Sequence, residues 1–463
     1  MLKKGEIKEI EIKSLAYGGE GIGKIDGITV FVADSSPGDI IKTEIISCKK
    51  SYARGKLIEV ITPSPYRVKP FCGLANVCGG CQWQHIDYDF QLKAKKQIVE
   101  DSLKKIGGFN NDINIEVKDV ISSPKKEKYR CKVQYPTGQT KVSKRFLAGY
   151  YKKGTHDIVN IKHCPVHPDV LNEITEFARE QLKESGLTAY NEDRHKGLLR
   201  HLVFRYSSSN KNVLLIFVLN SNEVPVELNK IAESIMKQFP EVVGVLANFN
   251  TSRSNVIMGG KTQLITGQDY IEENLEGRKF KISAGSFFQV NPESAVNIFN
   301  TVENIIKGKL DKPKILDPKI LDVYAGVGNF AVWLKDIASE IVAIEEFQLA
   351  VEDAKENIIL NQADNIKMIE GDAQVVLNEL RADGAKFDVI ILDPPRKGCT
   401  PESLDSAVNL SSKYIIYVSC NPTTLARDLK ILNEKGFIPQ FVQPVDMFCH
   451  TYHIESIAVL EKF

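Results

Sequence analysis

The chain has 463 residues, 43% of them hydrophobic and 26% charged, an ordinary balance for a folded protein with room for about three domains. No run of about 18 apolar residues is present, which excludes a membrane-spanning helix, and the opening MLKKGEIKEI has no apolar core of a secretory signal, so a cytoplasmic protein is expected. The net charge of +1 hides an imbalance: residues 61–170 carry 19 Lys/Arg against 10 Asp/Glu, which fits either a polyanionic partner or a lysine-rich solvated surface.

Residues 1–60 alternate apolar and polar positions between glycine turns, as in EIKEIEIKSLA and AYGGEGIGKIDGITVFV. Several short strands at this spacing predict a small OB-like β-barrel. TPSPYRVKP, with three prolines, reads as a linker. Residues 61–275 begin with a cysteine-rich stretch and a basic helix, YDFQLKAKKQIVEDSLKKIGG. A hairpin (HLVFRYSSSNKNVLLIFVLN) and an amphipathic helix (VPVELNKIAESIMKQFP) follow, without a βαβ rhythm, which predicts a central α+β domain. In residues 276–463 strands alternate with helices (KILDVYAG, NFAVWLKDIA, EIVAIEEF, QLAVEDAKENIILNQ, KFDVIILDPP, KYIIYVSC, TTLARDLKILNEKG). That alternation predicts a parallel, doubly wound, Rossmann-like α/β sheet.

LDVYAGVGNFA fits G-x-G-x-x-A through Gly326, Gly328 and Ala331, after a strand and opening a helix. Glu345, 19 positions after Gly326, ends the next strand, where a carboxylate can accept both protons of a ribose diol. The motif serves NAD, FAD and S-adenosylmethionine alike. Asp393, in the DPPRKG that ends a later strand, turns the reading toward a methyl donor, because nicotinamide chemistry has no use for Asp-Pro-Pro there.

VSCNP places Cys420 at a strand end just before a helix, on the rim where open α/β sheets bind ligands. A helix N-terminus favours a thiolate. HTYHIES adds a carboxylate, Glu455. A thiol with a carboxylate suits methylation of uracil at C5. Thiolate addition at C6 makes C5 an enolate carbon able to attack a methylsulfonium, and a base then removes the C5 proton so that the thiol is eliminated.

FFQVNP (287–292), LDVYAGVGNF (321–330), LDPPRKG (392–398), YVSCNP (417–422) and HTYHIES (450–456) together resemble the RNA uracil-5-methyltransferases that use S-adenosylmethionine, across nearly the whole chain. The resemblance implies a cofactor site of Gln289, Tyr324, Asn329, Glu345, Asp372 and Asp393, with Cys420 as nucleophile and Glu455 as general base. Asp372, in IEGDA, reads equally as a helix N-cap. The family's Asn after Tyr-Arg is replaced by Cys131, so that position is given no role.

Cys72, Cys78, Cys81 and Cys164 make a C-x5-C-x2-C plus one distant thiol, a spacing that fits zinc or a [4Fe–4S] cluster. The resemblance, through CGGCQWQH and HCPVHP, implies [4Fe–4S]. The other cysteines follow no such pattern. Residues 1–60, through GGEGIGK, are similar to a TRAM domain, an RNA-binding barrel. Tyr17, Lys24, Tyr52 and Arg54 are its candidate RNA contacts, and SPKKEKYRCKVQYP (123–136) a basic stretch near substrate. Removing the barrel is expected to weaken RNA binding and spare the chemistry. An amine methyltransferase would want an aromatic where Arg396 stands, and a non-catalytic factor would have no need of Cys420 and Glu455. A cytosine-5 enzyme also uses a thiol, but the DPPR and VSCNP context favours uracil. The barrel with the four-cysteine set implies 23S ribosomal RNA as partner, with the transfer-RNA T-loop as the alternative; no membrane or protein partner is expected.

Overall fold

The computed structural model describes residues 2–110, 115–308 and 315–463. Five strands, β1 (Ile7–Leu15), β2 (Gly21–Ile25), β3 (Ile28–Val32), β4 (Ile40–Cys48) and β5 (Tyr52–Thr62), close into a barrel in the order β1-β2-β3-β5-β4. Strand β1 shows why: Ile10, Ile12 and Leu15 turn inward while Glu9, Glu11 and Lys13 face water. The proline-rich 62–70 segment is not a free linker. Arg67 reaches back to the buried carboxylate of Asp39 (2.5 Å), and the Ser64 amide donates to the same group (2.8 Å). The periodicity of the segment gives no hint of this clamp, because both partners are polar.

The middle of the chain contributes α1 (Tyr88–Lys105), β6 (Glu116–Val117), β7 (Lys132–Gln139), β8 (Phe146–Ala148), α2 (Asp169–Glu184), β9 (Leu199–Tyr206), β10 (Val213–Leu219), α3 (Val226–Gln238), β11 (Val242–Phe249) and β12 (Lys261–Gly267). A six-stranded sheet, β12-β11-β10-β9-β7-β8, carries its own core. The expected hairpin is β9–β10, and the expected amphipathic helix is α3, which crosses from β10 to its parallel neighbour β11.

The hairpin β13 (Tyr270–Leu275) and β14 (Arg278–Ser283) leads to α4 (Pro292–Ile306). Then follow β15 (Lys319–Val323), α5 (Asn329–Leu334), β16 (Glu340–Glu345), α6 (Gln348–Leu360), β17 (Ile366–Glu370), α7 (Ala373–Ala382), β18 (Phe387–Leu392), α8 (Pro401–Leu410), β19 (Ser411–Ser419), α9 (Pro422–Glu434), β20 (Phe437–Val445) and β21 (Glu455–Lys462). The sheet order is β17-β16-β15-β18-β19-β21-β20-β6. Its first five strands are parallel, so the expected α/β architecture with an N-terminal barrel is present. It is not parallel throughout: β21 runs antiparallel between β19 and β20. Only the loop 446–454 joins β20 to β21, and without a crossover helix the chain must return antiparallel. The β6 strand also adds to β20, and α1 packs on α9, so α1 and β6 build this sheet rather than the central one.

Candidate active site

Strand β19 ends at Ser419 and α9 begins at the N-cap Asn421, which leaves Cys420 at the rim between them. Ser419 pairs with Ser456 of β21, so Glu455, the first residue of β21, stands beside Cys420. Glu455 is 5% exposed and Cys420 half-buried. Burial, then the charge of Glu455, pushes the Cys420 thiol up to about 12, against the expectation that the helix end would lower it. Arg396 opposes this with its charge and a hydrogen bond. Burial and then Asp393 push the Glu455 carboxyl well above its ordinary range, and Arg396 again pulls it down. Arg396 is therefore the cation shared by both groups, a role that the DPPR motif does not by itself reveal.

The DPPR loop is tied to the start of α9. Asn421 Nδ2 donates to the Arg396 carbonyl (3.1 Å), and Arg427 Nη2 to the carbonyls of Lys397 (3.0 Å) and Cys399 (3.2 Å). The buried Asp428 accepts from the Cys399 amide (2.9 Å) and the Tyr417 hydroxyl (2.6 Å). Arg396 and Cys420 are thus held by one lattice of hydrogen bonds.

The loop that delivers Glu455 is held from α1. Lys95 Nζ donates to Asp446 Oδ1 (2.6 Å) and to the Phe448 carbonyl (3.0 Å), and both charged side chains are fully buried. The Tyr88 hydroxyl donates to Asp446 Oδ2 (2.8 Å). The His450 amide donates to Gln91 Oε1 (3.1 Å), and burial lowers both His450 and His453 to about 4, so they are neutral. The basic helix of the sequence is therefore partly an internal clamp. Its one signal, a lysine on the apolar face, is visible only once the partner aspartate is in place.

The barrel reaches the same site. The Tyr17 ring meets Tyr452 edge-on at 5.6 Å, and Tyr452 lies 4.2 Å from the His453 ring. Tyr17 is electrostatically coupled to Cys420, Arg396 and Glu455. It was expected on an outer RNA-stacking surface. Removal of residues 1–60 would strip Tyr452, in the loop that delivers Glu455, of its Tyr17 contact. Of the other barrel candidates, Lys24 is exposed, Tyr52 packs edge-on to Phe31 at 5.7 Å and Arg54 pairs with Glu20 at 3.3 Å.

Tyr324, Glu345 and Asp372 line one cavity of about 100 Å³ at the C-terminal ends of β15, β16 and β17. The Glu345 carboxylate is aimed by the amides of Gly326 (2.8 Å), Glu346 (3.0 Å) and Phe347 (2.9 Å). Asp372 also caps α7 through the Val375 amide (3.1 Å), so both of its sequence readings have a geometric basis. Gly328 sits at φ 83°, a left-handed turn that suits glycine and lets α5 start close to the strand. Asp322 Oδ1 and Asn329 Oδ1 are buried without partners among the described residues, beneath this turn. Unpaired acceptors and an aimed carboxylate fit the amine and hydroxyl donors of an aminoacyl nucleoside such as S-adenosylmethionine. Asp393 and Gln289 lie outside this cavity's lining. Burial pushes Asp393 up to about 7. Gln289 sits in the loop before the α4 cap Asn291, next to Val290, whose carbonyl accepts from the Cys131 amide (2.7 Å).

Cys72, Cys78, Cys81 and Cys164 line a single cavity of about 200 Å³, together with Arg130, Arg396 and His453. All four are free thiols, and burial pushes Cys81 up to about 11 and Cys164 up to about 12. Among the described residues no His, Cys, Asp and Glu side chains draw together as a site for one metal ion. Cys48, Cys131, Cys399 and Cys449 lie outside this cavity. In the basic stretch, Lys125 pairs with Glu293, Lys128 with Asp169, and Lys126 lies 4.2 Å over the Tyr88 ring, so much of its charge is already engaged. No helix among the described residues is long and apolar enough to cross a membrane.

The family model described as tRNA (uracil-5-)-methyltransferase matches residues 87–463, and that of the TRAM domain matches residues 2–58. A Bacillus cereus protein named an uncharacterized RNA methyltransferase is 37% identical over 461 residues, 100% of this chain and 98% of the relative. A protein of the same description from Gloeobacter violaceus is 37% identical over 462 residues, again 100% and 98%. The crystal structure of the Pyrococcus abyssi tRNA (uracil-54, C5)-methyltransferase in complex with S-adenosyl-L-homocysteine is similar with a TM-score of 0.74 and 28% identity, over 98% of this chain and 100% of that one.

Proposed function

The chain belongs to the tRNA (uracil-5-)-methyltransferase family and carries an N-terminal TRAM domain, and from that premise we propose that it methylates C5 of a specific uridine in 23S ribosomal RNA. The adjacency of Cys420 and Glu455 at the ends of β19 and β21 carries this reading. Residues 1–60 and the central 61–275 bind and shape the RNA, and 276–463 hold the donor and the reacting base. The donor, S-adenosylmethionine, supplies an electrophilic methyl group. Tyr324, Asn329, Glu345 and Asp372, with Gln289 and Asp393, would hold the donor.

Arg396 stabilises Cys420 as a thiolate, which adds to C6 of a uracil flipped out of its RNA loop. The electron pair moves to C5 and O4, and C5 takes the methyl group as the methyl–sulfonium bond breaks and leaves the donor a neutral thioether. Once sulfur is bonded to carbon it carries no charge, so Arg396 then acts on Glu455 alone and favours its ionised form. Glu455 removes the C5 proton, the C–S bond breaks and the thiolate departs.

The resemblance carried by CGGCQWQH and HCPVHP supports a [4Fe–4S] cluster at the four cysteines, which line one cavity. Cys72, Cys78, Cys81 and Cys164 would hold it, and it would cross-link the 72–81 loop to the 164 segment; methyl transfer involves no redox step. Anaerobically purified protein is expected to contain about four iron per chain, and stoichiometric zinc would refute this. The similar archaeal structure favours a second substrate reading, the transfer-RNA T-loop. Mapping 5-methyluridine in ribosomal and transfer RNA of a deletion strain decides: loss from 23S RNA supports the proposal, and loss from transfer RNA alone overturns it.

A further inference from the structure

The loop between β1 and β2 packs on Tyr452, in the loop that delivers Glu455. It turns tightly, with the Gly19 amide donating to the Ala16 carbonyl (3.0 Å) and the Ala16 amide to that of Glu20 (2.8 Å). Gly18 and Gly19 take positive φ, 132° and 89°. A side chain at Gly19 would start 3.0 Å from the Tyr452 ring and 3.2 Å from Gln82 Cβ, so the approach requires glycine. The buried Trp83 donates its Nε1 to the Gly19 carbonyl (3.0 Å) and fixes the loop from behind. Tyr17, at the tip, is half-buried against Tyr452, and its hydroxyl makes no hydrogen bond to any described residue. A partly buried donor left unpaired beside a nucleophile and a carboxylate is a group waiting for an acceptor.

We propose that Tyr17 is a substrate-positioning residue supplied by the barrel, whose hydroxyl donates to a carbonyl oxygen of the target pyrimidine as its C6 faces Cys420. This rests on the uracil-C5 reading above. A pyrimidine with C6 at Cys420 and C5 at Glu455 lies near Tyr17, which packs on Tyr452 and feels the charge of both groups, and the acceptors it offers are its carbonyl oxygens. Addition at C6 increases the negative charge on one of them, so the donor is worth most as the adduct forms. The hydroxyl stays protonated at working pH, because burial and then the Cys420 charge hold it up at about 12. The barrel then acts within the chemistry as well as on RNA affinity.

The test uses full-length Tyr17→Phe, which keeps the ring that packs on Tyr452. RNA carrying 5-fluorouridine at the mapped target traps the covalent complex on a denaturing gel. At saturating RNA and S-adenosylmethionine, adduct formation should slow about tenfold or more. RNA affinity should stay within about twofold, since no phosphate contact is lost. The deficit should be the same across neutral and alkaline pH. A wild-type rate, a loss explained by RNA affinity alone, or a deficit that vanishes as the thiol ionises would each overturn the proposal. Failure of the wild-type enzyme to form any adduct would overturn the uracil-C5 reading, and this inference with it.

Discussion

Arg396→Gln isolates the electrostatic control of the nucleophile. With its thiol at about 12, Cys420 is ionised in roughly one molecule in 10⁵ at pH 7. An adjacent cation lowers such a pKa by about 1–3 units. The Arg396 side chain is open to solvent, so screening places its effect at the lower end of that range. Losing it should cut the thiolate population about tenfold. The assay is alkylation of Cys420 by iodoacetamide in the free protein, followed by peptide mass spectrometry. Since the thiol stays protonated throughout, both proteins should react about tenfold faster per pH unit, along parallel lines separated by about tenfold. Arg396→Lys should fall between them. Superimposed lines would refute the assignment of Arg396 as the controlling cation, and a wild-type plateau near neutrality would refute a thiol held up at about 12.

Cys420→Ala should bind S-adenosylmethionine and form neither product nor adduct, whereas Glu455→Gln should accumulate a methylated covalent complex on a denaturing gel; methylation by the alanine variant would refute the nucleophile. Lys95→Met leaves the buried Asp446 without its cation, and should cost about 3–5 kcal/mol of stability in urea unfolding; a change within experimental error would mean that the Tyr88 hydroxyl and the Phe448 amide satisfy the carboxylate. Asp39 is held below its ordinary pKa by Arg67 and backbone amides, after burial has worked the other way. Its stabilising effect is complete above the unfolded pKa of about 4 and is lost as pH falls through the lower folded value. The barrel should therefore loosen in acid, with Trp83 fluorescence shifting to the red before global unfolding; a concerted transition at both tryptophans would count against this.

The strand–helix alternation after residue 319 was legible because each buried strand is a short apolar run and each helix shows one apolar face, a purely local signal. The chemistry of the site was legible for a similar reason, since VSCNP, DPPR and HTYHIES each sit at a strand end. Three features were not. Lys95 reads as surface charge until Asp446, far along the chain, buries it. Tyr17 reads as a barrel-surface aromatic until Tyr452 and Trp83 give its loop a place to dock. The antiparallel β21 reads like the strands before it, because orientation is set by what connects two strands and not by their composition.

The position of β21 has a consequence for how the molecule comes into being. It is synthesised after both of its neighbours, yet it lies between them. Until it arrives, β19 and β20 each present an unpaired edge toward the gap it fills. Glu455 enters with that strand, so the nucleophile is in place before its base is. A chain caught short of this closure would hold Cys420 at an open rim with nothing to complete a reaction it began. Closure of the sheet therefore also delivers the general base to its nucleophile.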